Sequence, residues 1–208
     1  MSLLGVDVGT TGCKAAIFSA EGDLLTAAYR EYDVRAPQPG WAELDAAAVW
    51  QKVKQTIREA VAAAAGRGTE PVRALAISSL GEAVVPVSRE RKILGPSMLN
   101  FDLRGAAYLE PLREEIDETW LYRVNGNALG NHYGLTKLLW IKEHRPELYA
   151  RTDKFLLWSA FVAFMLGAEP VVDYTLANRT LLFDLAEEDW SEDLLHISGI
   201  DREKLPRT

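Results

Sequence analysis

The chain has 208 residues, of which 48% are hydrophobic, and its formal net charge is −7 at pH 7. This size and composition suffice for a packed core, while the acidic balance argues against a nucleic-acid backbone as partner, and the lack of an apolar stretch of about 18 residues argues against a membrane span. The single cysteine, Cys13, excludes an internal disulfide and fits a reducing compartment, and the three scattered histidines do not suggest a metal cluster.

Three short extended segments open the chain, at residues 3–8, 13–18 and 22–34. Their closeness in sequence predicts an antiparallel meander. A long alanine-rich helix is then predicted up to Gly66, with Asp45 as its N-cap. Its buried stripe is predicted at every fourth position, namely Val49, Val53, Ile57 and Val61.

The rest of the chain alternates extended and helical patterns. A buried strand is predicted at residues 72–79, a second strand at 82–88, an extended piece at 93–101 and a helical region at about 104–123. A helix interrupted near Pro146 is predicted at 135–150, a strand at 154–158 and an apolar helix at 159–167. Mixed loop and strand are predicted at 169–184, and a helix capped by Ser191 and stopped at Gly199 at 191–199. This order of elements indicates an α/β fold.

A polar segment, "DVGTTGCK" at residues 7–14, interrupts the first hairpin. It is longer than a hairpin turn requires. Successive amides around Gly9, Thr10, Thr11 and Gly12 could form a concave anion site, and an aspartate beside such a site favours a bridging magnesium ion. The alternative is a glycine-containing hairpin with surface threonines.

Several segments, in the right order, resemble the FGGY-type carbohydrate kinases, such as the xylulokinases, gluconokinases and glycerol kinases. They are the opening segment at residues 3–18, "PGWAELDAAAVW" at 39–50, the strand pair ending in "NFDLRG" at 100–105, and the stretch from 134 to 206. The resemblance implies a ribonuclease H-like, actin-like domain with a mixed five-stranded sheet, flanking helices and an inserted helical and loop region.

The resemblance also implies an activity, the transfer of the ATP γ-phosphate to a hydroxyl of a sugar or polyol, with a pentulose-like substrate favoured. ATP and Mg²⁺ are the implied cofactors. The positions that contact the ATP phosphates and the metal would be Asp7, Gly9, Thr10, Thr11 and Lys14, and Asp7 would be the metal ligand. Lys14 alone could equally be a solvated surface lysine.

Sugar recognition in this family falls on three segments, which here supply Glu82, the pair Asp102 and Arg104, and His132 or Tyr133. Relatives often carry glutamine-methionine-histidine or glutamine-arginine-glutamate where this chain has Leu80, Gly81 and Glu82, so the usual substrates do not transfer directly. The alternatives are a surface carboxylate for Glu82, a helix N-cap for Asp102, and a satisfied loop histidine for His132.

Residues 1–208 would form the N-terminal domain of such a kinase, with a crossover to a C-terminal domain beginning near 204–208. The family's general base would lie beyond Thr208, so this chain by itself is expected to be inactive. The implied partners are a sugar or polyol and the C-terminal domain, and a homodimer is possible. No nucleic-acid or membrane partner is expected, and the implied location is the cytoplasm. The alternative is a non-catalytic actin-like module, or pseudokinase, that binds sugar or nucleotide.

Overall fold

The computed structural model describes residues 1–208, which contain ten strands and eight α-helices. The strands are β1 (Ser2–Val8), β2 (Gly12–Ser19), β3 (Leu24–Glu31), β4 (Glu43–Leu44), β5 (Val72–Ser79), β6 (Val84–Val87), β7 (Ser97–Met98), β8 (Lys154–Leu157), β9 (Phe183–Asp184) and β10 (Asp189–Trp190). The helices are α1 (Ala46–Gly66), α2 (Leu109–Glu115), α3 (Glu118–Asn125), α4 (Gly134–His144), α5 (Pro146–Arg151), α6 (Trp158–Met165), α7 (Tyr174–Asn178) and α8 (Glu192–Ser198). They divide into two compact units.

The first unit comprises residues 1–34 and 45–80 and is built on a four-stranded sheet in the order β3-β2-β1-β5. β1, β2 and β3 form the predicted antiparallel meander, and β5 runs parallel to β1. A parallel neighbour requires a crossover connection, and α1 supplies it. The fold is mixed α/β as expected, but the sheet has four strands instead of five, because the chain leaves it after β5 and β6 pairs with β8 in the other unit.

The long helix α1 begins where the sequence predicts, since the Asp45 side chain accepts a hydrogen bond from the amide of Ala48. Its predicted stripe is correct only in the first half. Val49 and Val53 are buried, whereas Ile57 is half-buried and Val61 is 39% exposed. The buried face continues instead through Thr56, Ala60 and Ala64. A strict four-residue spacing drifts around a helix of 3.6 residues per turn, so the core-facing line moves to the small residues.

β5 is a strand as predicted, but it is an exposed one. Ala74 and Ala76 are exposed on one face and Leu75, 40% exposed, on the other. The reason lies in the packing of α1, which contacts β2 and β3, while β5 has β1 as its only neighbour in the sheet. An apolar sequence therefore occupies an open sheet edge.

The second unit comprises residues 35–44 and 81–208. Three small antiparallel pairs, β4 with β7, β6 with β8 and β9 with β10, are joined by helices α2 to α8. The predicted break near Pro146 separates α4 from α5, and α8 lies between its Ser191 N-cap and Gly199, which has a left-handed φ of 64°. The helix α7 occurs where only loop and strand were expected, with Asp173 capping it. No helix in the chain is both long and apolar enough to cross a bilayer.

Candidate functional site

In the first unit, the polar segment between β1 and β2 forms a tight turn closed by the Gly9 amide, which donates to the Gly12 carbonyl at 2.9 Å. The Tyr32 hydroxyl donates to the carbonyl oxygens of Gly9 and Gly12 at 2.7 and 3.0 Å. The Gly9 amide is therefore already hydrogen-bonded within the turn, so fewer amides remain to bind an anion than the sequence suggests. The amides and hydroxyls of Thr10 and Thr11 make no hydrogen bond within the chain.

A polar row crosses the open face of this sheet beside the turn. The strand registers place Asp7 opposite Lys14 on β2 and next to Ser78 on β5, and Lys14 opposite Tyr29 on β3. All four side chains are exposed. Asp7 and Lys14 form no ion pair with each other, so both charges face solvent.

This arrangement fits the phosphate end of a magnesium nucleotide. The amides of Thr10 and Thr11 offer donors, Lys14 offers a positive charge, and Asp7 offers a carboxylate to a cation. A Cβ at Gly9 would lie 3.3 Å from the Gly12 carbonyl oxygen, so a larger residue would strain the turn. The chain contains no group of three or more side chains able to hold a metal by themselves. Magnesium bound through one carboxylate and substrate phosphates does not require such a group.

In the second unit, Arg104 lies at the centre of a buried charged cluster. Its guanidinium donates to the Asp102 carboxylate through Nε at 3.0 Å and through Nη2 at 2.7 Å, and Nη2 also donates to Glu43 Oε2 at 2.8 Å. The same guanidinium lies 3.9 Å from the ring centre of Trp41 and 4.9 Å from that of Trp140. Only 5% of the Arg104 side chain is exposed.

The Asp102 side chain is fully buried and its oxygens are engaged. Besides the hydrogen bonds from the Arg104 guanidinium, they accept hydrogen bonds from the backbone amides of Ala42, at 2.7 Å, and of Arg104 itself, at 2.9 Å. Burial would raise the pKa of Asp102, but the Arg104 hydrogen bonds and these amides outweigh it and hold the pKa below its usual value. In this geometry both carboxylate oxygens of Asp102 are occupied, and Nη1 is the one guanidinium nitrogen of Arg104 without a hydrogen-bond partner within the chain.

Glu82 belongs to a second, more open group. Its Oε1 accepts hydrogen bonds from Nε of Arg179, at 2.7 Å, and from Nη2. The Arg179 guanidinium lies 4.7 Å from the ring centre of Tyr133, and the Tyr133 ring lies 4.0 Å from that of His132. The Tyr133 hydroxyl donates to Asn127 Oδ1 at 3.1 Å. Burial and the Arg179 charge lower the pKa of His132, so its imidazole is neutral at pH 7 and can both donate and accept.

Lys137 connects the two groups of the second unit. Its side chain is fully buried, and Nζ donates to the Asn131 carbonyl oxygen, while Asn131 Nδ2 donates to the Asp102 carbonyl oxygen at 2.8 Å. Burial lowers the pKa of Lys137 to about 8, against partial compensation by Asp102. The ammonium thus holds the loop that carries His132 against the segment that carries Asp102.

The contribution of Lys137 to the free energy of unfolding is therefore expected to rise between about pH 8 and 10.5, since the folded chain has already lost the Lys137 proton there, while the unfolded chain keeps it. The contribution is about 3 kcal/mol at full effect. It is measured as the difference between the protein and Lys137→Met in urea unfolding across this pH range, because the difference removes contributions from other titrating groups.

The variant Leu138→Ala is the control for this measurement. It loses packing on the same helix at a fully buried position but no titrating group. Its unfolding free energy is expected to be lower at every pH with the slope unchanged. A Lys137→Met protein with the same slope as the unmodified one would contradict a depressed Lys137 pKa.

The structure thus brings the predicted residues together in two sets. Asp7, Gly9, Thr10, Thr11 and Lys14 share one turn and its flanking strands in the first unit. Glu82, Asp102, Arg104, His132 and Tyr133 belong to the second unit. Four further residues lie beside them, Tyr32, Ser78, Lys137 and Arg179, and sequence reasoning missed them. Of these four, only Lys137 had a signal in the sequence, because it is a charged residue within the apolar pattern of a predicted helix.

Comparisons with known proteins bear on the whole chain. The sequence profile of the FGGY family of carbohydrate kinases, N-terminal domain, matches residues 2–208. A glycerol kinase of Thermus brockianus is 34% identical and a xylulose kinase of Escherichia coli 26% identical, each over 98% of this chain. The crystal structure of a xylulose kinase from Rhodospirillum rubrum, 26% identical, superposes on 99% of the chain with a TM-score of 0.92.

The chain spans only part of each of these relatives. It covers 42% of the length of the Thermus protein, 41% of the Escherichia protein and 42% of the Rhodospirillum chain. The likeness nevertheless confirms the expected fold class, the actin-like ATPase fold.

Proposed function

Because the chain belongs to the FGGY family of carbohydrate kinases, we propose that residues 1–208 are the N-terminal domain of an enzyme that transfers the γ-phosphate of ATP to a hydroxyl of a sugar or polyol. The observation that carries the proposal is the match over residues 2–208 together with the open polar turn at Thr10 and Thr11. A pentulose is the favoured acceptor, and the cytoplasm, where ATP is abundant, is the proposed location.

The first unit would hold the nucleotide phosphates. The Thr10 and Thr11 amides and hydroxyls would donate to phosphate oxygens, Lys14 would offset their negative charge, and Asp7 would hold the magnesium ion. Magnesium supplies neutralisation of the charge that develops on the transferred group. The Tyr32 hydroxyl keeps the turn rigid, so the donors are in place before the nucleotide binds.

The second unit would bind the acceptor. We assign direct contacts to Glu82 and His132, whose groups are partly exposed, and a supporting role to Tyr133, Asp102 and Arg104. Tyr133 supports Glu82 through Arg179, and the Arg104 cluster fixes the segments on which these contacts depend.

A general base must remove the proton of the attacking hydroxyl. We propose that this base is a residue of the C-terminal domain, beyond Thr208, as the family resemblance implies. Residues 1–208 alone are therefore expected to show no ATP-dependent phosphorylation of any sugar. The second candidate function, a non-catalytic module that binds sugar or nucleotide, is favoured by Leu80 and Gly81, which stand where relatives often carry polar residues.

One experiment separates these candidates. The protein is expressed from its complete open reading frame and incubated with Mg-ATP and a panel of ketoses, pentoses and polyols, and the phosphate esters formed are measured. Formation of an ester supports the kinase. Binding of a panel compound in calorimetry without any ester favours the module, and turnover by residues 1–208 alone would overturn the assignment of the base.

A further inference from the structure

Arg179 follows helix α7 and lies outside every segment from which sugar-binding residues were expected. Its side chain is 34% exposed and forms an ion pair with Glu82, of which 12% is exposed. The pair is thus accessible, unlike the Arg104 cluster, whose arginine is 5% exposed.

The ion pair leaves one group of each partner unused. Nε and Nη2 of Arg179 both donate to Glu82 Oε1. Neither Oε2 of Glu82 nor Nη1 of Arg179 has a hydrogen-bond partner within the chain, and neither is a buried atom lacking a partner. The pair therefore offers solvent one strong acceptor and one strong donor from a single rigid unit.

The surroundings fix this unit in place. The guanidinium packs over the Tyr133 ring at 4.7 Å, and the backbone carbonyl of Arg179 accepts from the Gly134 amide at 3.2 Å. Glu82 has a left-handed φ of 61°, a conformation that non-glycine residues adopt rarely and that is enriched at ligand sites. Gly81 has no side chain to cover the pair, and a Cβ there would lie 3.7 Å from Cγ of Arg179.

We propose that Arg179 is a specificity-determining residue, and that Arg179 and Glu82 together bind two neighbouring hydroxyls of the acceptor. One hydroxyl donates to Glu82 Oε2, and the adjacent hydroxyl accepts from Arg179 Nη1. A matched ion pair carries no net charge, so the site suits uncharged polyols and ketoses. Because the pair binds two adjacent hydroxyls, the site selects vicinal diols over sugars that lack either hydroxyl. The inference rests on the proposed function, because it concerns the acceptor site of the same enzyme.

The test uses Arg179→Met and Arg179→Lys in the protein expressed from its complete open reading frame. The acceptor is whichever compound of the panel of ketoses, pentoses and polyols is phosphorylated fastest, together with its monodeoxy analogues. Arg179→Met is expected to raise KM for the parent acceptor about 10- to 100-fold, as for a lost hydrogen bond to a charged group, with a smaller change in kcat. For the analogue that lacks the arginine-bound hydroxyl, the variant and the unmodified protein are expected to have the same KM.

Arg202→Met is the matched control, because Arg202 forms a more exposed ion pair with Asp189 in the same unit. It is expected to leave every KM unchanged. Thermal unfolding of all variants shows whether they fold, and Arg179→Lys, which keeps the charge but not the planar fork, gives the answer if Arg179→Met does not fold. Its KM for the parent acceptor is then expected to rise, again without a rise for the deoxy analogue.

Two outcomes overturn the inference while leaving the kinase intact. They are a KM within twofold of the unmodified protein, and an equal rise for all analogues, which a purely structural role would produce. If the unmodified protein phosphorylates none of the acceptors, the proposed function fails. Calorimetric binding of the same acceptors to the unmodified protein and to Arg179→Met then decides the inference, which is overturned if both bind equally or neither binds.

Discussion

Replacement of Arg104 by methionine is expected to lower the free energy of unfolding by about 3–5 kcal/mol, the usual cost of removing one partner from a buried ion pair. The variant leaves the Asp102 carboxylate fully buried without its guanidinium and removes a partner of Glu43. It also removes the cation that packs against the rings of Trp41 and Trp140. Arg104→Lys is expected to be nearly as unstable, because an ammonium cannot form the same planar contacts.

Urea unfolding at pH 7 measures this effect. Arg202→Met again serves as the comparison, since an ion pair in which both side chains are more than two-fifths exposed contributes about 0–1 kcal/mol. Asp102→Asn tests the same cluster from the other side and should also be destabilising. A loss of less than about 1 kcal/mol for Arg104→Met would show that the cluster is not a main source of stability.

The variant Asp7→Asn is expected to lower kcat about 100- to 1,000-fold, with a smaller effect on KM for the acceptor. An amide keeps the size of the side chain but not the charge that would hold magnesium beside the transferred phosphate. Because Asp7 is exposed and forms no ion pair with Lys14, the protein is expected to fold normally without the carboxylate.

Steady-state kinetics of the protein from its complete open reading frame test this expectation, with thermal unfolding as a check of folding. Asp23→Asn provides the control, since Asp23 is an exposed aspartate in the turn before β3 and lies in no proposed site. An unchanged kcat for Asp7→Asn would show that Asp7 does not serve the phosphate and metal.

Local features of the fold were predictable wherever one residue type determines the outcome. The Asp45 and Ser191 caps, the Gly199 stop and the break near Pro146 all depend on short-range hydrogen bonding or backbone conformation. The exposure of β5 was not predictable, because it depends on which strands α1 covers, a property of the whole sheet.

The candidate site shows the same limit. Motif resemblance identified Glu82 and Asp102, but not that Asp102 is fully engaged by Arg104 while Glu82 keeps one oxygen free. Arg179 comes from a segment 97 residues further along the chain, so its partnership with Glu82 depends on tertiary structure alone. Sequence patterns therefore found both carboxylates and Arg104, whereas Arg179 and the different engagement of the two carboxylates required the structure.

The open edge of β5 has a consequence for how the chain behaves in a test tube. Backbone N–H and C=O groups along an unpaired strand are a template for other extended chains, and natural proteins usually guard such edges with charge. β5 carries one charged side chain, Arg73, beside the exposed Leu75. We therefore expect residues 1–208, purified alone, to self-associate through this strand edge as their concentration is raised.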